Sequence, residues 1–385
     1  MEHLFTEEQK MLRESARTLI SRVANADYVR RLDRNREYPE DLYAALVEAG
    51  FLAAPFPEEY GGMGGSIIDV AIISEEIGRV SSDFVMGYGL SMFCGLNILQ
   101  NASGEFKNAW LPKLISGEVK FSIGLSEPNA GTDLGAIRTR AVRDGDDYVI
   151  NGTKTWQSGA GAKDNVINLY LRTGDDPDHR QSLSLLLVPN DVPGVHMRKL
   201  DMLGRYCTGT YEVTFDNARV PVANLVGNEK DGWKYLLSGL NAERAVAAAC
   251  DLGSASAVVD MSLEYAKERK QFGRPIGSFQ ALAHRLADIQ CEVEAARALV
   301  WKAVWLAANN EGEETLRIVT MAKLFAAETY VKASNVAMQV FGGNGYSMEY
   351  DIQRHYRDCR ISTVAAGSAE MLRNLIAGLS GLRIQ

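Results

Sequence analysis

The sequence lacks the features that mark several large classes of protein. Its five cysteines lie far apart, with no C-x-x-C pair and no Cys/His spacing typical of a metal site, so we expect neither a metal centre nor a disulfide framework. No apolar run reaches about eighteen residues, so no membrane span is expected. A net charge of −8 argues against a nucleic-acid surface, which usually needs a basic stripe.

Other signals are missing as well. The first eight residues show no basic segment followed by an apolar stretch, so the sequence predicts a cytoplasmic protein in a reducing compartment. There is no G-x-G-x-x-G after a strand-like run and no G-x-x-x-x-G-K-[ST], so a nicotinamide-type dinucleotide fold and a P-loop both lack support.

What the chain does have is material for a packed core. It has 385 residues, enough for about two or three domains, and 46% of them are hydrophobic. Helical patterns fill residues 6 to 120, beginning with a capping box at Thr6 and Gln9. Short β-rich runs separated by turn signals follow. Long helical patterns return at the end. The helices that we predict cover 39–49, 67–79, 231–266, 279–309, 313–341 and 368–379.

This order predicts a mostly α protein with a β domain in the middle. We place the domain boundaries at 1–120 for an N-terminal helical domain, 121–228 for the β domain and 229–385 for a C-terminal helical bundle.

Two segments of the β region carry the strongest chemical signal. Residues 124–133 form a glycine- and proline-containing turn with the hydroxyl of Ser126 and the carboxylate of Glu127. Such a turn offers hydroxyl and backbone N–H groups to a planar polar ring or a pyrophosphate. Residues 151–158 begin with Asn-Gly, which favours a hairpin turn, and continue into a strand with the indole of Trp156.

Together with two later motifs, at 268–280 and 339–351, these segments resemble the acyl-CoA dehydrogenase family of flavoproteins. The resemblance covers essentially the whole chain. It implies an N-terminal helical domain, a small β-barrel or sandwich domain and a C-terminal four-helix bundle, with FAD as the cofactor.

The resemblance also implies how the isoalloxazine end of FAD is bound. Ser126 resembles the hydroxyl at the flavin pyrimidine edge, Ser158 the hydroxyl near N5, and Trp156 the indole packed on the ring. Thr132 resembles a residue near the pyrophosphate or the pantetheine arm of the ligand. Taken alone, Ser126, Ser158 and Trp156 fit an ordinary turn serine or a core tryptophan better than a flavin contact.

The remaining cofactor contacts implied by the resemblance lie in the C-terminal region. Arg269, Gln271 and Phe272 resemble the group that grips the adenosine half of FAD, and an arginine suits phosphate because its guanidinium binds in a bidentate way. The alternative for Arg269 is an ion pair with Glu264 or Glu268. The other implied contacts are Gln339, Gly342, Gly343, Ser368 and Glu370.

Gln339, Gly342 and Gly343 resemble a segment that reaches the FAD of a neighbouring subunit. The resemblance therefore implies a homo-oligomer, a tetramer in many relatives. The two glycines also fit the end of a helix, and both interpretations can hold together.

The catalytic base departs from the usual pattern of the family. Many relatives carry a glutamate at the position of Ala366, and a methyl group cannot accept a proton. A minority place the base earlier, in a Glu-Arg pattern that matches Glu243 and Arg244. Glu243 falls on a small, apolar helical face, where desolvation raises the pKa of a carboxyl group.

Alternatives remain for each role near the reacting carbons. Glu243 could instead be a structural residue paired with an arginine of another helix, and Glu370 is a second candidate for the base. The backbone N–H of Ala366 can still donate to the thioester carbonyl. Arg244, Ala365 and Gly367 are the expected substrate contacts, and the two alanines 365 and 366 leave room for a branched or cyclic acyl group.

The sequence therefore predicts an FAD-dependent acyl-CoA dehydrogenase. It would form a 2,3-enoyl-CoA, with the α-proton taken by a carboxylate and the β-hydride by flavin N5, and would pass electrons to an electron-transfer flavoprotein. The alternatives are a dehydrogenase of acyl-carrier-protein thioesters, an enoyl-CoA reductase, a flavin monooxygenase of the same fold, and a relative that has lost catalysis.

Overall fold

The computed structural model describes residues 5–176, 178–309 and 312–383. The prediction that the chain has no secretion signal uses its first eight residues, and residues 1–4 of these lie outside the described residues. The helices are α1 (Glu7–Val23), α2 (Ala26–Asn35), α3 (Glu40–Glu48), α4 (Ile67–Val80), α5 (Phe84–Asn101), α6 (Gly104–Ile115), α7 (Gly232–Glu268), α8 (Gln280–Asn309), α9 (Glu313–Phe341), α10 (Gly343–Tyr346), α11 (Ile352–Asp358) and α12 (Ala369–Leu379).

The N-terminal helices for which the sequence predicts bounds lie where it predicts them. The capping box is present, since Thr6 accepts from the N–H of Gln9 and the Gln9 side chain accepts from the N–H of Thr6. The predicted helices 39–49 and 67–79 are confirmed as α3 and α4 within one residue at each end. Gly50 follows α3 with a φ of +76°, a conformation that glycine adopts without strain.

The middle of the chain forms a seven-stranded mixed sheet. Its strands run in the order β1-β4-β2-β3-β7-β6, and β5 pairs with β4. The strands are β1 (Lys120–Gly124), β2 (Arg140–Asp144), β3 (Asp147–Ser158), β4 (Asn165–Arg172), β5 (Leu183–Pro189), β6 (Val195–Lys199) and β7 (Thr210–Pro221), and a two-stranded hairpin follows α7 with β8 (Lys270–Gln271) and β9 (Arg274–Pro275).

One turn prediction in this sheet is wrong. Asn151 and Gly152 do not form a hairpin turn but lie inside β3, where the pairing with β7 shifts register. The β2–β3 hairpin turns around Gly145 instead. Gly152 is required for a different reason, because a Cβ there would lie 2.6 Å from Oγ1 of Thr139.

The C-terminal bundle consists of α7, α8, α9 and α12, so the predicted fold class is confirmed. The four long helices that we predicted match the observed ones within two residues. The sequence did not reveal α10 and α11, which lie between α9 and α12. The domain boundaries at 120/121 and 228/229 stay a prediction.

The bundle also packs against the N-terminal helices through α4 and α7. The backbones approach closely where Gly78 of α4 meets Cys250 and where Gly253 of α7 meets the carbonyl of Glu75. By length and composition α7 is the one described helix that could cross a membrane, but 78% of its most apolar stretch is buried in the protein, as in a core helix.

Candidate functional site

Two sequence segments of the β domain meet at one end of β1 and β3. The backbone N–H of Thr155 donates to the carbonyl of Ser126 over 2.9 Å. Nζ of Lys154 donates to the carbonyl of Leu125 and to Oε1 of Glu127, each over 2.9 Å. The structure therefore places the hydroxyl-bearing turn directly beside the strand that carries the indole.

An interior ion pair holds this junction. The side chains of Lys154 and Glu127 are 0% and 8% exposed, and Glu127 also accepts from the N–H groups of Arg138 and Thr139 over 2.8 Å each. Burial alone would raise the pKa of Glu127, but the Lys154 charge and these hydrogen bonds hold it below its ordinary value. Burial lowers the pKa of Lys154 to about 8, against the raising effect of Glu127.

Sequence reasoning missed this pair. A signal was present, because a charged residue on the inward side of a strand needs a partner of opposite charge, and Glu127 lies in the turn already singled out.

Trp156 is presented outward by a local distortion of β3. The pairing with β7 shifts register between Lys154 and Gln157, and Trp156 has a φ of +63°. Its side chain is 61% exposed. An exposed indole held by a strained backbone is a surface for a planar ring, and it is not the core tryptophan of the alternative interpretation.

The predicted hydroxyls are free to bind a ligand. Ser126 and Ser158 are half-buried, and Thr132 is exposed. None of the three hydroxyls has a hydrogen-bond partner within the described ranges. Unpaired hydroxyls around an exposed indole fit the polar edge of an isoalloxazine ring, so the residues present are consistent with FAD.

Glu243 lies on α7, and the charges that act on it are those of Arg244 and Lys323. No Lys or Arg nitrogen lies within 4.0 Å of its carboxylate in the part of the chain that the structure describes, so the ion pair of the alternative interpretation is not seen there. Glu243 is half-buried, and the protein around it raises the pKa of its carboxyl by desolvation, while the charges of Arg244 and Lys323 oppose that rise.

Arg244 is the neighbour of Glu243 on α7 and is itself 9% exposed. Its Nε and Nη1 atoms have no hydrogen-bond partner. Its Nη2 lies 4.0 Å from the position that a Cβ on Gly367 would occupy. Burial lowers the pKa of this guanidinium, against the effect of Glu243. Arg244 therefore brings unpaired donors to the turn that contains Ala366.

That turn lies between α11 and α12. Ala366 and Gly367 have φ values of +55° and +95°. The N–H of Ala366 has no acceptor among the described residues, so it is available to a ligand oxygen. Ala365 and Gly367 are exposed. The structure thus brings Arg244 and the predicted 365–367 turn together.

The C-terminal cofactor residues form a second group. Arg269, Gln271 and Phe272 lie at and within the β8–β9 hairpin, which follows α7 directly. Tyr265 near the end of α7 stacks on Phe341 with ring centroids 4.0 Å apart and accepts a hydrogen bond from Nδ2 of Asn344 over 2.8 Å. These contacts hold the hairpin beside the segment with the predicted residues Gln339, Gly342 and Gly343.

The structure bears on the alternative interpretations of Arg269 and Gly342. Glu264 pairs with Lys267 over 2.5 Å, and Arg269 forms no ion pair within the described residues. Gly342 does end α9, with a φ of +58°, and a Cβ there would meet nothing within 4 Å. No hydrogen bond or ion pair within the described part of the chain joins this group to Ser126, Trp156 or Ser158.

Ser368 and Glu370 line a groove of about 520 Å³ that also contains Arg360 and Lys332. Oγ of Ser368 caps α12 by accepting from the N–H of Met371 over 3.3 Å. Glu370 is exposed. No group of His, Cys, Asp or Glu in the described residues is arranged to hold a metal.

Comparison with known proteins matches the whole chain to one family. The family models for the acyl-CoA dehydrogenase N-terminal, middle and C-terminal domains match residues 6–118, 122–218 and 230–379. The chain is similar to the probable acyl-CoA dehydrogenase YngJ of Bacillus subtilis (strain 168), with 39% identity over 97% of each chain. It is also similar to the 3-(aryl)acrylate reductase of Clostridium sporogenes, with 34% identity over 97% of this chain and 98% of the relative.

Among solved structures, that of a glutaryl-coenzyme A dehydrogenase in complex with glutaryl-CoA superimposes with a TM-score of 0.92. It shares 35% identity and covers 98% of this chain and 96% of its own. Since the family models cover most of the chain and these relatives cover nearly all of it, the chain belongs to the acyl-CoA dehydrogenase family and is an FAD-dependent oxidoreductase.

Proposed function

We propose that this protein oxidises an acyl-CoA thioester to the 2,3-enoyl-CoA, with Glu243 as the base that takes the α-proton. The observation that carries this proposal is the unpaired carboxylate of Glu243 in a desolvating environment. A carboxyl group whose pKa is raised is a stronger base when ionised, which suits abstraction of a weakly acidic α-proton. Since the position of Ala366 has no carboxylate, another residue must take the proton.

The chain supplies a second element of this chemistry beside the base. The acceptor-free N–H of Ala366 would donate to the thioester carbonyl and stabilise the negative charge that develops on its oxygen. Arg244, with two unpaired donors, lies against the same turn and would hold the thioester end of the ligand.

FAD supplies the acceptor for the β-hydride when it is bound. Ser126, Ser158 and Trp156 would hold its ring system, with Thr132 near its pyrophosphate. Lys154 and Glu127 fix the two segments that carry these side chains. Arg269, Gln271 and Phe272, together with Ser368 and Glu370, would contact the rest of the cofactor.

We infer further that the cofactor site needs two copies of the chain. Phe272, in the β8–β9 hairpin, is 93% exposed, and Tyr346, three residues after Gly343, is 86% exposed. Large apolar side chains with such exposure are usually covered by a partner. A homo-oligomer, a tetramer as in many relatives, would cover them. An electron-transfer flavoprotein is the electron acceptor that fits this family.

The acyl group is proposed to be branched or cyclic. Ala365 and Ala366 place two methyl groups where bulkier side chains stand in many relatives, and Ala365 is exposed beside the site. The space beside the reacting carbons would then accept substituents at the α- or β-carbon.

An anaerobic titration of the purified protein with straight, branched and cyclic acyl-CoA thioesters tests the proposal. We expect bleaching of the visible flavin band, greatest with a branched or cyclic acyl group. A different result would show a reductase: no acyl-CoA bleaches the flavin band, but an enoyl-CoA restores the band of enzyme whose flavin was reduced beforehand. If only acyl thioesters carried on the pantetheine arm of a carrier protein bleach the band, the protein is the dehydrogenase of acyl-carrier-protein thioesters.

A further inference from the structure

A buried lysine outside the predicted site holds the turn that contains Ala366. Lys323 lies on α9 and is 2% exposed. Its Nζ donates to the carbonyl of Ser362 over 2.6 Å, to that of Ala365 over 2.7 Å and to that of Gly367 over 3.2 Å. One ammonium group thus binds the backbone on both sides of Ala366.

This arrangement requires the charged form of the lysine. An ammonium group has three N–H donors and a neutral amine has two, so three carbonyl acceptors are satisfied only by the ammonium. Burial lowers the pKa of Lys323, Asp251 and Glu243 raise it, and Arg244 and Arg205 lower it. The three carbonyl contacts and the two carboxylates favour the charged form in the interior.

The turn needs such a brace because its backbone is strained. Ala366 has a φ of +55°, a left-handed conformation that is unfavourable for a residue with a Cβ. Carbonyl oxygens fixed at positions 365 and 367 leave residue 366 little freedom to relax. A second contact fixes the start of the turn, where Oγ of Ser362 donates to Asp251 over 2.6 Å.

The surroundings of Lys323 and Glu243 are ionic on several sides. Lys323 binds the carbonyl of Gly367, and Nη2 of Arg244, the residue after Glu243, lies 4.0 Å from the position of a Cβ on Gly367. The charges of Asp251, Glu243 and Arg244 on α7 and of Arg205 in the loop before β7 act on Lys323. The charge of Glu243 also acts on Cys94 of α5 and Tyr170 of β4. Lys323 is the cation from a different helix that acts on Glu243.

We propose that Lys323 is the positioning residue of this site, fixing the 362–367 turn so that the N–H of Ala366 stays free for a ligand oxygen, and keeping a positive charge beside Glu243. The role of the N–H in the reaction rests on the proposed function, but the bracing of the turn does not. Lys323 therefore acts through Ala366 and Glu243 and does not touch the reacting atoms.

The test compares Lys323→Met with Lys302→Met, an exposed lysine on the neighbouring helix α8. In the FAD-loaded proteins, amide hydrogen exchange of the peptide that spans 362–368 should rise about tenfold or more in Lys323→Met, since charged hydrogen bonds are lost. It should stay at the wild-type rate in Lys302→Met. Unchanged exchange in Lys323→Met would overturn the bracing role, whether or not any thioester is oxidised.

A pH profile separates positioning from general support of the fold. The rate of thioester-dependent flavin reduction, plotted against pH, should have a rising limb where Glu243 ionises. In Lys323→Met this limb should move to higher pH by about one unit, because a cation that favours the carboxylate is gone. Lys302→Met should leave that limb in place. A lower rate with an unmoved limb would overturn the electrostatic part of the proposal.

Lys323→Arg is a second variant for the case in which Lys323→Met does not fold. It keeps the charge, so its pH limb should match the wild type, while kcat falls with little change in KM because the longer guanidinium displaces the turn. A limb shifted to higher pH in Lys323→Arg would contradict the proposal.

Discussion

The ammonium of Lys154 lies 2.9 Å from the carboxylate of Glu127 in the interior of the β domain, and it joins the two segments that carry Ser126 and Trp156. This pair positions the cofactor residues without exposing either charge. Replacing one member leaves the other buried and unpaired, which usually costs more than the pair contributes.

Lys154→Met should therefore destabilise the folded protein by about 3–5 kcal/mol and weaken retention of FAD. Chemical denaturation and the flavin content after gel filtration measure the two effects. Lys163→Met is the control, because Lys163 is 83% exposed, and it should change stability by less than about 0.5 kcal/mol. Equal flavin content in Lys154→Met and wild type would show that the junction does not organise the site.

The close contact between α4 and α7 depends on a glycine. A Cβ on Gly253 would lie 2.1 Å from the carbonyl oxygen of Glu75, so Gly253→Ala should cost about 1–3 kcal/mol or more. Gly378 in α12 has nothing within 4 Å of a Cβ, so Gly378→Ala should stabilise the protein by up to about 1 kcal/mol. Midpoints of thermal unfolding check both, and equal effects of the two substitutions would contradict the packing argument.

Glu243 should make the protein less stable where its carboxyl is ionised. Its pKa is raised above 4.5 by desolvation, so the folded state binds this proton more tightly than the unfolded state. Stability is thus lost as the pH rises from about 4.5 through the raised pKa, and the loss persists above it. Glu243→Gln removes this cost and should raise stability at pH 8 by the order of 1 kcal/mol.

The pH dependence supplies the check on that prediction. The difference in Tm between Glu243→Gln and wild type should shrink as the pH is lowered toward 4.5, where both side chains are neutral. A variant that is less stable than wild type at pH 8 would indicate an ion pair that stabilises Glu243.

The exposed ring of Phe272 should lie in a contact between copies of the chain. Phe272→Asp should lower the mass measured by light scattering and reduce FAD content together, because the proposed cofactor site uses two copies. Met11→Asp is the control, since Met11 is 71% exposed on α1, away from the cofactor residues. Dissociation without loss of FAD would show that each site is complete within one copy.

The sequence predicted the elements with strong local signals. The long helices of the bundle follow from apolar periodicity, and α1 from its capping box, because these patterns depend on neighbours in the chain. Asn151-Gly152 misled the analysis because the same dipeptide serves a hairpin turn and a bulge. Only the approach of Thr139 decides between them, and that contact is between segments.

The residues of the site likewise divide into those with a signal in the local sequence and those whose role depends on contacts between distant segments. Glu243 could be singled out because a carboxylate on an apolar face is visible in the sequence. Lys323 could not, because its function comes from three carbonyl oxygens about forty residues further along the chain, and carbonyl groups carry no sequence signal. The pairing of Lys154 with Glu127 likewise depends on the approach of β3 to the turn after β1, two strands that are not neighbours in the sheet.

The most direct test of the account is the rate of anaerobic flavin bleaching by the best acyl-CoA, compared among wild type, Glu243→Gln and Glu370→Gln. We predict that Glu243→Gln keeps FAD and binds the thioester but reduces the flavin about 10²–10⁴-fold more slowly, while Glu370→Gln keeps a rate near that of the wild type. A wild-type rate in Glu243→Gln, or a loss of rate confined to Glu370→Gln, would contradict the assignment of Glu243 as the base.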